Sequence, residues 1–164
     1  MRNIRDSVFF VAILALITFL AGQSTRAQPA DAKRLIGTWR VVSVTQQDGQ
    51  PDSRFGAHPS GLIYYDASGH MAVQIMRDSS LRHPFAGAQP TPEEAQAAVR
   101  DYVAYFGTYS VDERAHRITH HREGAIAPGP LADFVRQYEF LTGDRFALTI
   151  VDGNGNRLVF ERVK

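Results

Sequence analysis

From residue 35 to residue 163 the chain repeats one pattern. A short run of β-branched and aromatic residues with alternating polarity is followed by a cluster of Gly, Asp, Asn, Ser or Pro. Such runs read as strands, and such clusters read as turns. The runs are 35–47, 61–65, 70–76, 105–111, 116–123, 133–141, 145–151 and 157–163. The clearest turns are Asp48-Gly49, "DASG" (66–69), "TGD" (142–144) and "DGNGN" (152–156). The last resembles a fragment of a calcium loop but lacks the rest of that motif, so it reads as a turn. Eight sequential strands joined mostly by tight turns predict a mainly β protein, an eight-stranded antiparallel up-and-down barrel. An open two-sheet sandwich is the alternative. Barrel closure is favoured because it leaves no exposed strand edge.

One segment breaks the pattern. In "TPEEAQAAVRDYVAYF" (91–106), Thr91 can cap a helix, Pro92 suits its first position and Glu94 completes a capping box. Apolar residues at 95, 98, 99, 102, 103 and 106 follow at helical spacing, which predicts a helix over 92–104, between strands three and four. Its alanine-rich stripe is expected to cover an opening or flank of the barrel, with a gate over the entrance as one role. The preceding stretch, 77–90, has no period and reads as a long loop.

The first residues read differently again. Arg2 and Arg5 precede an uncharged apolar run, 8–22, and "STRAQ" (24–28) places small residues at Thr25 and Ala27. This is the pattern of a secretory signal peptide, residues 1–27, cleaved after Ala27. The run is shorter than the roughly 20 residues that span a bilayer, so no stable membrane insertion is expected after cleavage. The expected mature chain, 28–164, forms a single domain that is periplasmic or secreted. It has a net charge near zero, so no nucleic-acid partner is expected. The sequence has no cysteine, which excludes disulfides, thiolate catalysis and thiolate metal sites.

"GTW" (37–39) resembles the lipocalin Gly-x-Trp signature. "LIGTWRVVSV", "GLIYYDASGHMAVQI", "YVAYFGTYSVDE", "ITHHREG", "GDRFAL" and "LVFERV" follow one another in the order seen in the bacterial and fungal lipocalin-like domain family. The resemblance spans essentially all of 28–164. It implies a calycin-type barrel in which Trp39 plugs the base behind Gly37, with Arg162 from the last strand packed over the tryptophan. It also implies a helix between strands three and four, unlike secreted lipocalins, which carry one after the barrel. Most members have no assigned activity. A few fungal relatives accompany natural-product pathways, which brings an isomerase or cyclase role in by analogy.

Candidate site residues come from strand alternation. His120 and His121 must point to opposite faces unless a bulge intervenes. Ile118 shares a face with His120 and assigns that face to the lumen, together with His116 and Arg122. The opposite choice puts His121 and Glu123 inside. Tyr64, Gln74, Met76, Tyr109, Arg136 and Tyr138 complete the expected ligand-binding set, and His120 is the candidate catalytic residue. An inward Arg136 calls for an anion, from Glu123 or from a ligand. All six histidines lie between 58 and 121, yet no pair has chelating spacing. His116 and His120 are about 13 Å apart along a strand. No metal and no cofactor are expected.

The leading expectation is a barrel that binds a small, mostly apolar ligand with a polar or acidic end. The alternatives are a metal-independent isomerase or cyclase using a lumen histidine as acid or base, and a structural or inhibitory barrel with a filled core.

Overall fold

The computed structural model describes residues 30–151 and 153–164, so the expected leader, 1–27, lies outside the described residues. The chain closes into a barrel of eight antiparallel strands in sequence order, with β8 pairing back onto β1. The strands are β1 (Gly37–Thr45), β2 (Ser60–Tyr65), β3 (His70–Met76), β4 (Tyr102–Asp112), β5 (Arg117–Ala125), β6 (Phe134–Phe140), β7 (Arg145–Ile150) and β8 (Arg157–Arg162). Among the described residues two α-helices accompany them, α1 (Ala30–Leu35) before the barrel and α2 (Pro92–Arg100) between β3 and β4, and a short 3-10 turn, Ser79–Leu81, precedes α2.

Two irregularities set which side chains face in. A bulge at Val42 in β1 lets both Val41 and Val44 point inward although they are three residues apart. In β5 the extra residue is Glu123, because Phe106 pairs with Gly124 while Gly107 pairs with Arg122. Gly107 is needed there. A Cβ at this position would lie 2.0 Å from the His121 carbonyl oxygen.

One end of the barrel is plugged. The Trp39 indole donates to the Leu35 carbonyl at 2.7 Å and meets Phe146 edge-on at 4.7 Å. The Arg162 guanidinium lies 4.0 Å from the centre of the Trp39 ring and donates to the carbonyls of Ile36 and Arg34. Gly37 makes room for it, since a Cβ there would sit 2.6 Å from the guanidinium. A cation held over an indole adds about 0.5–2 kcal/mol. The two hydrogen bonds also satisfy carbonyls at the C-terminal end of α1.

Helix α2 starts as its sequence predicts. The Thr91 hydroxyl accepts from the Glu94 N–H and the Glu94 carboxylate accepts from the Thr91 N–H. It ends four residues earlier than expected. Residues 102–104 belong to β4, where Tyr102 pairs with Met76 and Val103 with Ile75. Tyr102, Val103 and Phe106 fit a helical period, but cross-strand pairing wins. The alanine-rich stripe does not pack as expected either, because no residue of α2 is buried. The helix flanks the open end through polar contacts, with Arg54 donating to the Arg100 carbonyl at 2.5 Å.

Candidate functional site

The plugged half of the barrel is filled with side chains. Above it the lumen holds a cavity of about 640 Å³. Its wall is apolar: Ile63, Val73, Val103, Phe134, Leu148 and Phe160 surround most of it. Arg54, Asp133 and Asn154 line its outer part and are exposed, so the cavity reaches the surface. Tyr105 and Arg136 are the lining residues of the inner part that carry polar groups. The Arg136 guanidinium packs 4.6 Å from the centre of the Phe134 ring and donates to the Val135 carbonyl at 2.9 Å.

The mouth is tied together by buried polar groups. The Asp52 carboxylate accepts from the N–H groups of Arg54 and Phe55 and from the side-chain amide of Asn156. It thereby joins the β1–β2 loop to the β7–β8 loop. Asp78 accepts from the His58 N–H at 3.0 Å, and its own N–H donates to the Phe55 carbonyl. Phe55, held by both links, is buried and forms part of the cavity wall. Asp52, Phe55 and Asn156 were absent from the sequence-derived site. Pro51, Gly56 and Pro59 in one loop and the turn at 152–156 in the other mark only where the chain bends, while the links between the loops are made across the barrel mouth.

Beneath the cavity lies a three-residue polar chain. His120 is 1% exposed, and its Nε2 lies 2.8 Å from the Tyr65 hydroxyl. Its Nδ1 lies 2.8 Å from the Tyr105 hydroxyl. Burial, with smaller contributions from the charges of Arg136 and His121, lowers the imidazole to about 3. Burial likewise pushes Tyr105 up to about 12 and holds Tyr65 well above the usual tyrosine range. All three are therefore neutral at ordinary pH. Buried polar groups are tolerated because they satisfy one another.

The sequence-predicted residues fall in several places. His120 points inward, as Ile118 implied, but it does not line the cavity, because Tyr105 lies between. His121 points outward between Ser110 and the Asp133 carboxylate, 2.8 Å away. His116 is not in the lumen. It precedes β5 in a left-handed conformation (φ 49°), and its exposed ring packs on Tyr138. Arg122 is at the rim, 3.7 Å from the centre of the Phe134 ring, and donates to the Ala132 carbonyl.

The expected lumen places of Tyr64, Gln74 and Met76 are corrected. Alternation with the inward Ile63, Tyr65, Val73 and Ile75 turns all three outward. Tyr64 is 45% exposed, Gln74 accepts from the Tyr102 hydroxyl at 3.2 Å, and Met76 lines a separate groove beside α2. Tyr109 and Tyr138 do face in but sit below the cavity. Tyr109 donates to the Asp66 carbonyl, and Tyr138 donates to the Asp31 carboxylate of α1 at 2.7 Å. Of the expected ligand contacts, Arg136 is the one that lines the cavity. Tyr105, four residues from Tyr109 on the same inward face of β4, lines the cavity although it lies outside the expected set. Two-residue spacing gives the face of a strand, not the height along the barrel.

The family model of the lipocalin-like domain matches residues 36–159, most of the barrel. The chain belongs to the lipocalin-like domain family. This lipocalin-like domain therefore has the calycin-type barrel, and a closed barrel of this family suits small-molecule binding in general. Among solved structures, a redesigned beta barrel superposes with a TM-score of 0.43 at 14% identity, covering 81% of this chain and 95% of its own. No curated protein matches the lipocalin-like domain closely enough to be compared with it. Among the described residues, no helix is long and apolar enough to cross a membrane, and no group of three or more His, Asp or Glu side chains is placed to hold a metal ion.

Proposed function

We propose that this lipocalin-like domain binds a small, mostly apolar molecule with a polar or acidic end in the upper half of its barrel. The observation that carries this reading is the cavity of about 640 Å³, apolar in its wall and bordered by a few polar groups. That volume lies in the usual range for small-molecule pockets. Arg136 is the group that would meet an anionic end, since its guanidinium sits on the wall with Phe134 beneath it. The wall residues Val73, Val103 and Leu148 would hold the apolar body.

Binding is favoured over histidine-catalysed isomerisation because His120 reaches the cavity only through Tyr105. The open volume weighs against a filled structural barrel. We further propose that the domain acts after export, as a periplasmic or secreted protein. The charged start, the apolar run 8–22 and the small residues before Gln28 support this.

Native mass spectrometry of protein purified from its own host tests the binding reading. A bound small molecule that persists in the wild type and is lost in Arg136→Ala is expected. Ligand-free protein from several hosts would overturn it. N-terminal sequencing of the mature protein checks the export reading, with Gln28 expected first.

A further inference from the structure

The polar chain below the cavity has a property that neither the barrel nor its apolar wall requires. Tyr65, His120 and Tyr105 are joined by two contacts of 2.8 Å, and only Tyr105 of the three lines the cavity. A neutral imidazole carries one N–H and one lone pair, so the two tyrosines must play opposite parts. With the proton on Nδ1, the imidazole donates to the Tyr105 oxygen and accepts the Tyr65 O–H at Nε2. The Tyr105 hydrogen can then point into the cavity. With the proton on Nε2, the imidazole donates to the Tyr65 oxygen and the Tyr105 O–H is taken up by Nδ1. Tyr105 then offers the cavity only a lone pair. Both arrangements keep the same heavy-atom distances, so changing between them moves protons and no backbone.

We propose that Tyr105 is the specificity-determining hydrogen-bonding group of the lumen, and that His120 is a positioning residue whose tautomer selects whether Tyr105 donates to or accepts from a bound molecule. The ligand class that follows is an apolar skeleton with an uncharged oxygen function, a carbonyl above all, reaching the inner end of the cavity. The surroundings suit it. Tyr105 is paired across the sheet with Val73 and meets Phe134 edge-on at 5.6 Å, so a hydrogen bond made there is shielded from water. Arg136 lies on the same wall and lets one molecule present an acidic group nearer the mouth. This inference rests on the lumen-binding reading above.

The test uses the full domain, labelled with ¹⁵N in histidine and ¹³C in valine and leucine methyls, and two probes of one shape, cyclooctanone and cyclooctane. Both probes are expected to shift the methyls of Val73, Val103 and Leu148. In the cyclooctanone complex the ¹⁵N shifts of His120 should show the proton on Nδ1. Tyr105→Phe should weaken cyclooctanone about three- to tenfold, the worth of one hydrogen bond, and leave cyclooctane unchanged. If the methyls respond but Nε2 carries the proton in the ketone complex, or Tyr105→Phe leaves cyclooctanone binding unaltered, the proposal is overturned and lumen binding stands. If neither probe moves the methyls, the lumen-binding reading fails and takes this proposal with it. The tautomer readout on the wild type needs no variant, so it holds even if Tyr105→Phe folds poorly.

Discussion

The Tyr105 hydroxyl lies 2.8 Å from Nδ1 of His120, and the tyrosine, not the histidine, faces the cavity. The histidine's influence on the lumen therefore passes through a neighbour. Its protonation, by contrast, bears directly on the stability of the fold.

Acid should expose this. His120 is lowered by burial to about 3 in the folded barrel, against 6.5 for a free imidazole. As pH falls below 6.5 the unfolded chain takes up the proton first. The stability tied to this group is thus complete above pH 6.5 and is lost as pH falls toward 3, by at most about 1.4 kcal/mol per pH unit. Asp66, Asp78 and Glu94 are also lowered, chiefly by hydrogen bonds, and push the same way at lower pH. Urea midpoints at pH 7, pH 5.5 and pH 4.5 should fall more steeply for wild type than for His120→Gln. Equal slopes would show that the imidazole is not held neutral by burial.

The plug at the closed end gives a second prediction. Arg162→Ala removes the guanidinium over Trp39 and the hydrogen bonds to Ile36 and Arg34. It should cost about 2–3 kcal/mol, the sum of a cation–π contact and two modest hydrogen bonds. Arg162→Lys should recover only part, because an ammonium lacks the planar fork. Thermal denaturation followed by near-ultraviolet circular dichroism of Trp39 would measure both. A wild-type midpoint for Arg162→Ala would refute the plug's energetic role.

Lumen and surface substitutions should separate cleanly. Anilinonaphthalene sulfonate, an apolar anion, serves as a fluorescent probe. Arg136→Ala should weaken it about tenfold, the worth of a hydrogen bond to a charged group. Val103→Trp, which pushes a large side chain into the cavity, should weaken its binding at least as much. Tyr64→Ala and Gln74→Ala lie on the outer face and should leave its affinity unchanged. Weakening by the outer pair and not by Val103→Trp would place the probe outside the barrel.

The mouth supplies a fourth. Asp52 collects the N–H groups of Arg54 and Phe55 and the Asn156 amide, so Asp52→Ala leaves buried donors unsatisfied. A loss of about 1–3 kcal/mol is expected. Amide exchange should quicken in 52–58 and 153–157 and stay slow in β2 and β3. Uniform quickening across the barrel would instead mean that Asp52 supports the whole fold, not the mouth.

Much of this molecule was legible from alternation and turn chemistry. The eight strands follow from runs with period two, and the start of α2 follows from Thr91, Pro92 and Glu94. These features depend on residues a few positions apart. The end of α2 was not legible, because 102–106 satisfy both a helical and a strand period and only pairing with β3 decides between them. The lumen assignments of Tyr64, Gln74 and Met76 failed for a related reason. Their types suggested ligand contacts, but inward neighbours on either side force them out.

The sequence by itself determined the barrel class and, as a family trait, the grouping of Gly37, Trp39 and Arg162; for β5 it offered two faces, with Ile118 pointing to the one that holds His120. Local periodicity and a motif are enough for those. Tertiary structure alone decided that packing stops halfway along the lumen, that Tyr105 stands between His120 and the cavity, and that Asp52 meets Asn156 across the mouth. Those facts depend on heights and distances across a closed barrel, set by strand register and the bulges at Val42 and Glu123, and no local spacing encodes them.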